Sequence, residues 1–494
     1  MSAYEDRAAL CPHFEQCGGC TLQKISYEKQ LMLKAKEVCD LLELDDDSRF
    51  EGILPSPLQE EYRNKMEFTF GDECKGGPFA LGLHMRGSFM NIVNITDCHL
   101  VHEDVNLIRN SVRDFFNEYY VRGELTFRNN KTHIGYLRHL LVRRAEKTGE
   151  ILVALVTTSQ YTSQVCSEQE LMDRFLQMLK KLELKGTIAG VLHIINDALS
   201  DIVQSDRAEI LFGRDFIYDE VLGLKFRISA FSFFQTNTLG AEVLYTKARE
   251  YAADAHGVLF DLYSGTGTIA QLMSPVVDQV IGVEIVPEAV ESARENAALN
   301  KISNAQFLAE DVLKALDHLP VPDSLILDPP REGIHPKALG KILRYGVENI
   351  VYVSCKPTSL AKDLQAFYLA GYQIKKACSV DMFPQTGHVE TVVLLCRKHE
   401  AAEKHLLVEY DTGGRHMDNS IVNATYSQIK EWVAEHYNGM KVSSLYIAQV
   451  KAKHGLIERE NYNKSKKEEP VVPQCTPEKE EAIEAALRHF RLIE

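Results

Sequence analysis

The chain has 494 residues, a formal net charge of −15 and eleven cysteines. That length exceeds one ordinary core, so two to four domains are expected, and the acidic balance excludes a protein that coats nucleic acid nonspecifically. No uncharged apolar run is long enough to span a bilayer, and "MSAYEDRAALCPHF" has no signal-peptide pattern, so a cytoplasmic, non-membrane protein is expected, a monomer by default.

Residues 1–25 are read as a cysteine loop. "CPHFEQCGGC" holds Cys11, Cys17 and Cys20, and Cys98 in "NITDCHL" is a fourth candidate. In a reducing compartment such cysteines serve as ligands more readily than as disulfides. Four thiolates suit tetrahedral zinc, with Gly18 and Gly19 allowing a tight fold around it, and equally suit a [4Fe–4S] cluster. The residues alone leave both open. Residues 26–50 follow as a helix, with Leu31, Leu33, Ala35, Val38, Leu41 and Leu42 at apolar spacing and Ser26 as its cap. Residues 51–230 contain short β-like runs such as "KMEFTF", "FMNIVNI", "HIGYLRHLLVRR" and "EILVALVTT", interrupted by one helix candidate, "EQELMDRFLQMLKKLEL". They predict an α+β domain on an antiparallel sheet. Arg63, Lys65, Arg138, His139, Arg143 and Arg144 are its candidates for a basic, RNA-facing groove.

Residues 231–400 read differently. Helix candidates alternate with the strands "GVLFDLYS", "QVIGVEIV", "AQFLAED", "SLILDPP", "NIVYVSC" and "ETVVLLCR", predicting a doubly wound parallel sheet over about 240–397. Residues 401–494 are read as a linker and a small helical extension. Two short helices there flank a turn at Asn438 and Gly439, and Lys451, Lys453, Lys464, Lys466 and Lys467 suggest either an RNA-contacting module or a protein-docking appendage.

Chemistry concentrates at the strand ends of 231–400. In "LFDLYSGTGTIAQL", Gly265 and Gly267 let the backbone turn tightly against a ligand, and Glu284, about twenty residues on, can accept from ribose hydroxyls. Asp311 follows a third strand, where it can reach an adenine amino group. The turn alone does not separate a nicotinamide or flavin from S-adenosylmethionine. Asp328, in "DPPREG", and Cys355, in "VSCKP", end two further strands at the same crevice. Lys356 and a following helix N-terminus are expected to lower the Cys355 pKa and make it a nucleophile. Glu390, beside His388, is the candidate base.

Taken together, "FSFFQTN", "LFDLYSGTGT", "GVEIV", "LILDPPREG", "VYVSCKP" and "GHVETV" resemble the RNA (uracil-5-)-methyltransferase family, and "CPHFEQCGGC", "YRNKMEF", "TDCHL" and "LRHLLVRR" look like its cluster loop and RNA-facing segments. The resemblance covers about residues 11–397. It implies a Rossmann-like, class I S-adenosylmethionine-dependent methyltransferase domain beside the α+β domain, acting on C5 of a uridine in 23S rRNA or, alternatively, tRNA. It further implies Gln235, Tyr263, Glu284 and Asp328 as cofactor and active-site positions, Cys355 as nucleophile and Glu390 as base. Cys11, Cys17, Cys20 and Cys98 would then hold a structural [4Fe–4S] cluster. Phe231, Phe233 and Phe234 are candidates to line the base pocket. A nicotinamide-dependent iron–sulfur oxidoreductase and a redox-sensing RNA-binding protein are the rivals. The first of these gives no work to "DPPR" or "SCKP".

Overall fold

A computed structural model describes residues 7–44, 48–200, 206–397, 426–437, 440–454 and 475–490. The linker over 401–425, the turn at Asn438 and Gly439, and Lys464, Lys466 and Lys467 lie outside them. The chain forms two compact units, Met1–Ala401 and Ala402–Glu494.

The first unit begins with α1 (Tyr27–Leu42), β1 (Phe50–Leu54), β2 (Lys65–Asp72), β3 (Phe79–His84), β4 (Ile92–Val93) and α2 (Glu103–Val121). It continues through β5 (Leu137–Arg144), β6 (Glu150–Thr157), α3 (Glu168–Lys180), β7 (Thr187–Ile195) and β8 (Arg207–Gly213). A hairpin, β9 (Phe216–Val221) and β10 (Leu224–Ser229), leads to α4 (Thr238–Tyr251), β11 (Val258–Leu262), α5 (Thr268–Met273) and β12 (Gln279–Glu284). Then come α6 (Pro287–Leu299), β13 (Ala305–Ala309), α7 (Val312–Ala315), β14 (Ser324–Leu327), α8 (Pro336–Tyr345) and β15 (Asn349–Ser354). The unit closes with α9 (Pro357–Leu369), β16 (Tyr372–Val380) and β17 (Glu390–Arg397).

Strands β2 to β8 build a seven-stranded sheet in the order β4-β3-β2-β5-β6-β7-β8. It is antiparallel as expected except at β6 and β7, which run parallel. The α3 helix between them is the crossover that a parallel pair requires. The amphipathic α2, which the sequence reading passed over, covers one face together with α3. Val105, Ile108, Val112 and Phe116 pack there with Leu140, Val142, Val153 and Phe175. The opposite face contributes Leu141, Leu152, Ala154 and Val156 to a core shared with Phe226, Leu244, Ile326 and Val353. One continuous apolar core therefore joins this sheet to the next.

The second large sheet has eight strands in the order β1-β16-β17-β15-β14-β11-β12-β13. From β13 to β15 it is parallel and Rossmann-like, with helices between strands. The expected all-parallel sheet fails at β17, which is antiparallel to both β15 and β16. A strand that returns through a short loop needs no crossover helix and so runs back antiparallel. β1, from the stretch read as the central domain, pairs parallel with β16.

Helix α1 also departs from its predicted stripe: it buries Tyr27, Gln30, Lys34, Val38 and Leu42. Ser26 occupies the cap position without a side-chain capping bond. The second unit contains α10 (Tyr426–His436), α11 (Ser444–Lys453) and α12 (Pro477–His489), packed around Ile429, Val433, Ile447, Val450, Ile483 and Leu487. Lys453 is paired there with Glu480, which reduces the basic character expected of this module. No described helix is long and apolar enough to cross a membrane.

Candidate active site

The glycine turn sits where β11 leaves the sheet. Tyr263 N and Ser264 N both donate to Val283 O, at 2.9 and 3.0 Å, folding the chain back over β12. Tyr263, Gly265 and Gly267 all take positive φ, +69°, +53° and +73°. Only glycine serves at 267, because a Cβ would lie 2.5 Å from the Phe307 ring. At the end of β12, Glu284 Oε2 accepts from Gly265 N at 3.0 Å and Oε1 from Val286 N at 2.9 Å. The carboxylate is thus fastened at the mouth of the turn with lone pairs to spare. Asp311 caps α7, accepting from Leu313 N at 2.8 Å. Burial and the Asp311 charge push the Tyr263 phenol up to about 12.

A row of acids lies along the carboxyl edge of the sheet. Asp261, within β11, is fully buried; one oxygen accepts from Ala270 N at 2.9 Å and the other has no partner. Burial, then the Asp328 charge, raise it to about 8. The sequence reading missed Asp261, although an acid inside the apolar strand "VLFDL" was a visible signal. Asp328, just past β14, is raised to about 7 by burial. Glu390 opens β17, is 4% exposed, and is held well above the carboxylate range by burial and Asp328, against the opposing Arg331 charge.

Strand register brings the nucleophile candidate to this row. Ser354 of β15 faces Thr391 of β17, so the next step along the antiparallel pair sets Cys355 beside Glu390. Cys355 is half-buried, and its thiol is raised, not lowered: burial, Glu390 and Asp328 outweigh the charge and hydrogen bond of Arg331. The expected activation by Lys356 and the α9 N-terminus does not prevail, because Lys356 is exposed to water while the two carboxyls share the enclosed edge. Tyr245 of α4 is buried against Asp328 and Glu390 and hydrogen-bonded to the Gln235 side chain, which ties Gln235 to the same edge. Phe231 and Phe233 are 40% and 65% exposed, with Phe233 against Gly265. Phe234 is core, packed on Phe226, and so leaves the pocket set.

The N-terminal cysteines form a second centre. Cys11, Cys17, Cys20 and Cys98 line one cavity, with His13, Leu83 and Asp97. Burial raises all four thiols, Cys20 to about 12 and Cys98 to about 11; the charge of neighbouring thiols adds to this at Cys17, Cys20 and Cys98, and that of Asp97 at Cys11. Among the described residues no three His, Cys, Asp or Glu groups converge closely enough to hold a metal. The four thiols surround one space without closing on it. By donor chemistry they are a soft, thiophilic set, gathered from two distant stretches of chain.

The basic groove requires correction. Arg138 and Arg143, on β5, are each 2% exposed. Arg138 Nη1 donates to Asn196 O at 2.6 Å and Ala198 O at 3.0 Å, and Nη2 to Ser200 O at 2.8 Å. Arg143 Nε donates to Ala230 O at 3.1 Å, and its Nη2 to Ser232 O. Arg144 pairs with Asp104 at 2.9 Å. In this structure these guanidiniums satisfy buried acceptors and brace loops instead of forming an open basic face; His139 is buried as well. Arg143 braces the segment that leads to Gln235. Arg63 and Lys65 are half-buried, Arg63 bonded to Lys65 O at 3.0 Å and Lys65 paired with Glu67 at 2.5 Å.

Comparison with known proteins adds to this geometry. The family model for tRNA (uracil-5-)-methyltransferase matches residues 155–398. An uncharacterized RNA methyltransferase of Clostridium acetobutylicum is 48% identical over 395 residues, covering 78% of this chain and 84% of that protein. One from Bacteroides thetaiotaomicron is 38% identical over 412 residues, covering 78% of this chain and 87% of its own. Among solved structures, the Pyrococcus abyssi tRNA (uracil-54, C5)-methyltransferase in complex with S-adenosyl-L-homocysteine superimposes with a TM-score of 0.62 at 27% identity, over 77% of this chain and 85% of that one.

Proposed function

Because the chain belongs to the RNA (uracil-5-)-methyltransferase family, whose methyl donor is S-adenosylmethionine, we propose that it methylates C5 of one uridine in 23S rRNA through a covalent bond from Cys355 to C6. The observation that carries this reading is the β15–β17 register, with Cys355 beside Glu390 and Asp328 in the same enclosed row.

The residues fit the donor. An unpartnered buried oxygen on Asp261 and the enclosed Asp328 suit a cationic sulfonium, and the glycine turn with Glu284 suits a nucleoside with a free ribose diol. Gln235, Tyr263 and Asp311 would complete that site. When bound, S-adenosylmethionine supplies an electrophilic methyl group. The protein's own work begins with Cys355, whose thiolate, aided by Arg331, adds to C6 and sends the electron pair into the uracil C4 carbonyl as an enolate. C5 then takes the methyl group. Glu390 removes the C5 proton, and reversal of the Cys355–C6 bond restores the double bond and the thiolate. Its raised pKa makes Glu390 a stronger base for that proton than an ordinary carboxylate. The target base must leave its stack to reach this edge, and exposed Phe231 and Phe233 are suited to receive it.

For Cys11, Cys17, Cys20 and Cys98 we infer a structural [4Fe–4S] cluster that would clip the N-terminal loop to the β domain through Cys98. Their common cavity supports this. Likeness to the Pyrococcus abyssi tRNA enzyme favours tRNA as a second reading of the substrate. Mass-spectrometric mapping of 5-methyluridine in cells lacking the protein decides between them. Loss of one site in 23S rRNA is expected; loss from tRNA alone would replace the rRNA target.

A further inference from the structure

Outside the reacting groups, contacts converge on the 381–389 loop, which joins β16 to β17 and ends at Glu390. Gln385, at its centre, is 2% exposed and takes φ +69°, although it is not glycine. Such a conformation persists only where the surroundings over-determine it. Gln385 N donates to Gln30 Oε1 at 2.9 Å, and Gln385 Oε1 accepts from Gln30 Nε2 at 3.0 Å and Arg7 Nη2 at 2.9 Å. Its carbonyl accepts from Thr21 N at 2.9 Å and Leu22 N at 3.0 Å. Thr21 directly follows Cys20. Two more bonds hold the loop nearby: the buried pair of Lys34 Nζ with Asp381 Oδ1 at 2.6 Å, and Tyr62 Oη donating to Pro384 O at 3.0 Å.

We propose that Gln385 is a positioning residue for methyl transfer. Clamped by Gln30 and by the backbone just after Cys20, it fixes the loop that presents Glu390 beside Cys355, and so ties the catalytic edge to the four-cysteine loop. The inference rests on the base role given to Glu390 above. Proton removal needs the carboxyl within hydrogen-bond reach of C5, whereas addition of the Cys355 thiolate does not depend on that loop. Loosening the clamp should therefore slow the second half of the reaction and spare the first.

The test compares full-length wild type with Gln385→Gly, which keeps the left-handed backbone free of strain, with Gln30→Ala, and with the conservative Gln385→Asn. Hydrogen exchange over 381–390 should rise roughly tenfold or more in the Gly and Ala variants, with the remaining strands of the catalytic sheet unchanged. In those variants kcat should fall about 10- to 100-fold with KM for RNA within about twofold. Covalent adduct on unmodified RNA should accumulate, and Gln385→Asn should recover part of the rate. Cys20→Ser should raise exchange in the same segment. Unchanged protection over 381–390 in both variants would overturn the clamp, as would wild-type kcat with a loosened loop, or kcat and KM worsening together without adduct. Unchanged protection in Cys20→Ser would overturn the link to the cysteine loop. Should wild type itself fail to trap RNA containing 5-fluorouridine, the reading of the reaction fails, and the exchange comparison still judges the clamp.

Discussion

Cys355 and the four cysteines of the N-terminal cavity begin from the same chemistry, a thiol withdrawn from water, and burial raises the pKa at both centres. Their company differs. Cys355 shares its edge with two carboxyls that oppose its ionisation and one guanidinium, Arg331, that favours it. In the cavity, Cys20 and Cys98 have other thiols of the set as neighbours, whose charge disfavours their ionisation. A low pKa is therefore not what distinguishes the proposed nucleophile from the cavity thiols. Its distinction is a half-buried position among opposed charges.

Four measurements bear on that contrast. The largest effect is expected from Cys355→Ala: methyl transfer should fall by at least about 10⁴-fold, and trapping on 5-fluorouridine RNA should vanish. Trapping that survives, or that is lost instead in Cys20→Ala, would exchange the roles of the two centres. Next, Glu390→Gln should lower turnover about 10²- to 10⁴-fold while adduct accumulates; normal turnover would remove the base. Third, anaerobic reconstitution with iron and sulfide should give a brown protein with about four irons per chain, a colour that Cys98→Ser loses and Cys355→Ala keeps. A colourless, zinc-containing protein would replace the cluster.

The smallest effect concerns pH. Asp261 and Asp328 hold their protons in the folded chain to about 8 and about 7, whereas the unfolded chain releases them near the ordinary value of about 4. The folded state then binds more protons than the unfolded state across that window, so stability should fall as pH rises from about 4 to 8, by roughly 1–3 kcal/mol once relaxation is allowed for. Thermal midpoints between pH 5 and pH 8 measure the slope. Asp328→Asn should flatten it, and an equal slope in that variant would show that Asp328 ionises freely in the fold.

Much of the candidate edge was legible in the sequence because strand ends carry their polar groups on adjacent residues: "DLYSGTG", "DPPR" and "SC" each mark a strand's end and a polar group there. Strand direction was not legible at β17, since "ETVVLLCR" is buried on both faces and an apolar run looks the same in either direction. The run of β-like segments masked α2, whose Val, Phe and Tyr residues also favour strands. Arg138 and Arg143 read in the sequence as part of a basic, RNA-facing groove. Only the fold brings them to carbonyls of residues 196–200 and 230–232. The Cys355 pKa was misjudged for a related reason: the neighbour in sequence, Lys356, matters less than Glu390, a neighbour across strands.

The pairing of β1 with β16 has a consequence for synthesis. Phe50 and its partner Ala377 stand more than three hundred residues apart in the chain. At ribosomal speeds of about 5–20 residues per second, β1 waits on the order of tens of seconds for the strand it pairs with. Through that interval it carries an unmet backbone edge, and the eight-stranded sheet is complete only when the last of its strands has emerged. The nascent chain should lean on chaperones in this window, and a ribosome stalled before β16 would hold a molecule whose central sheet is complete and whose enzyme is not.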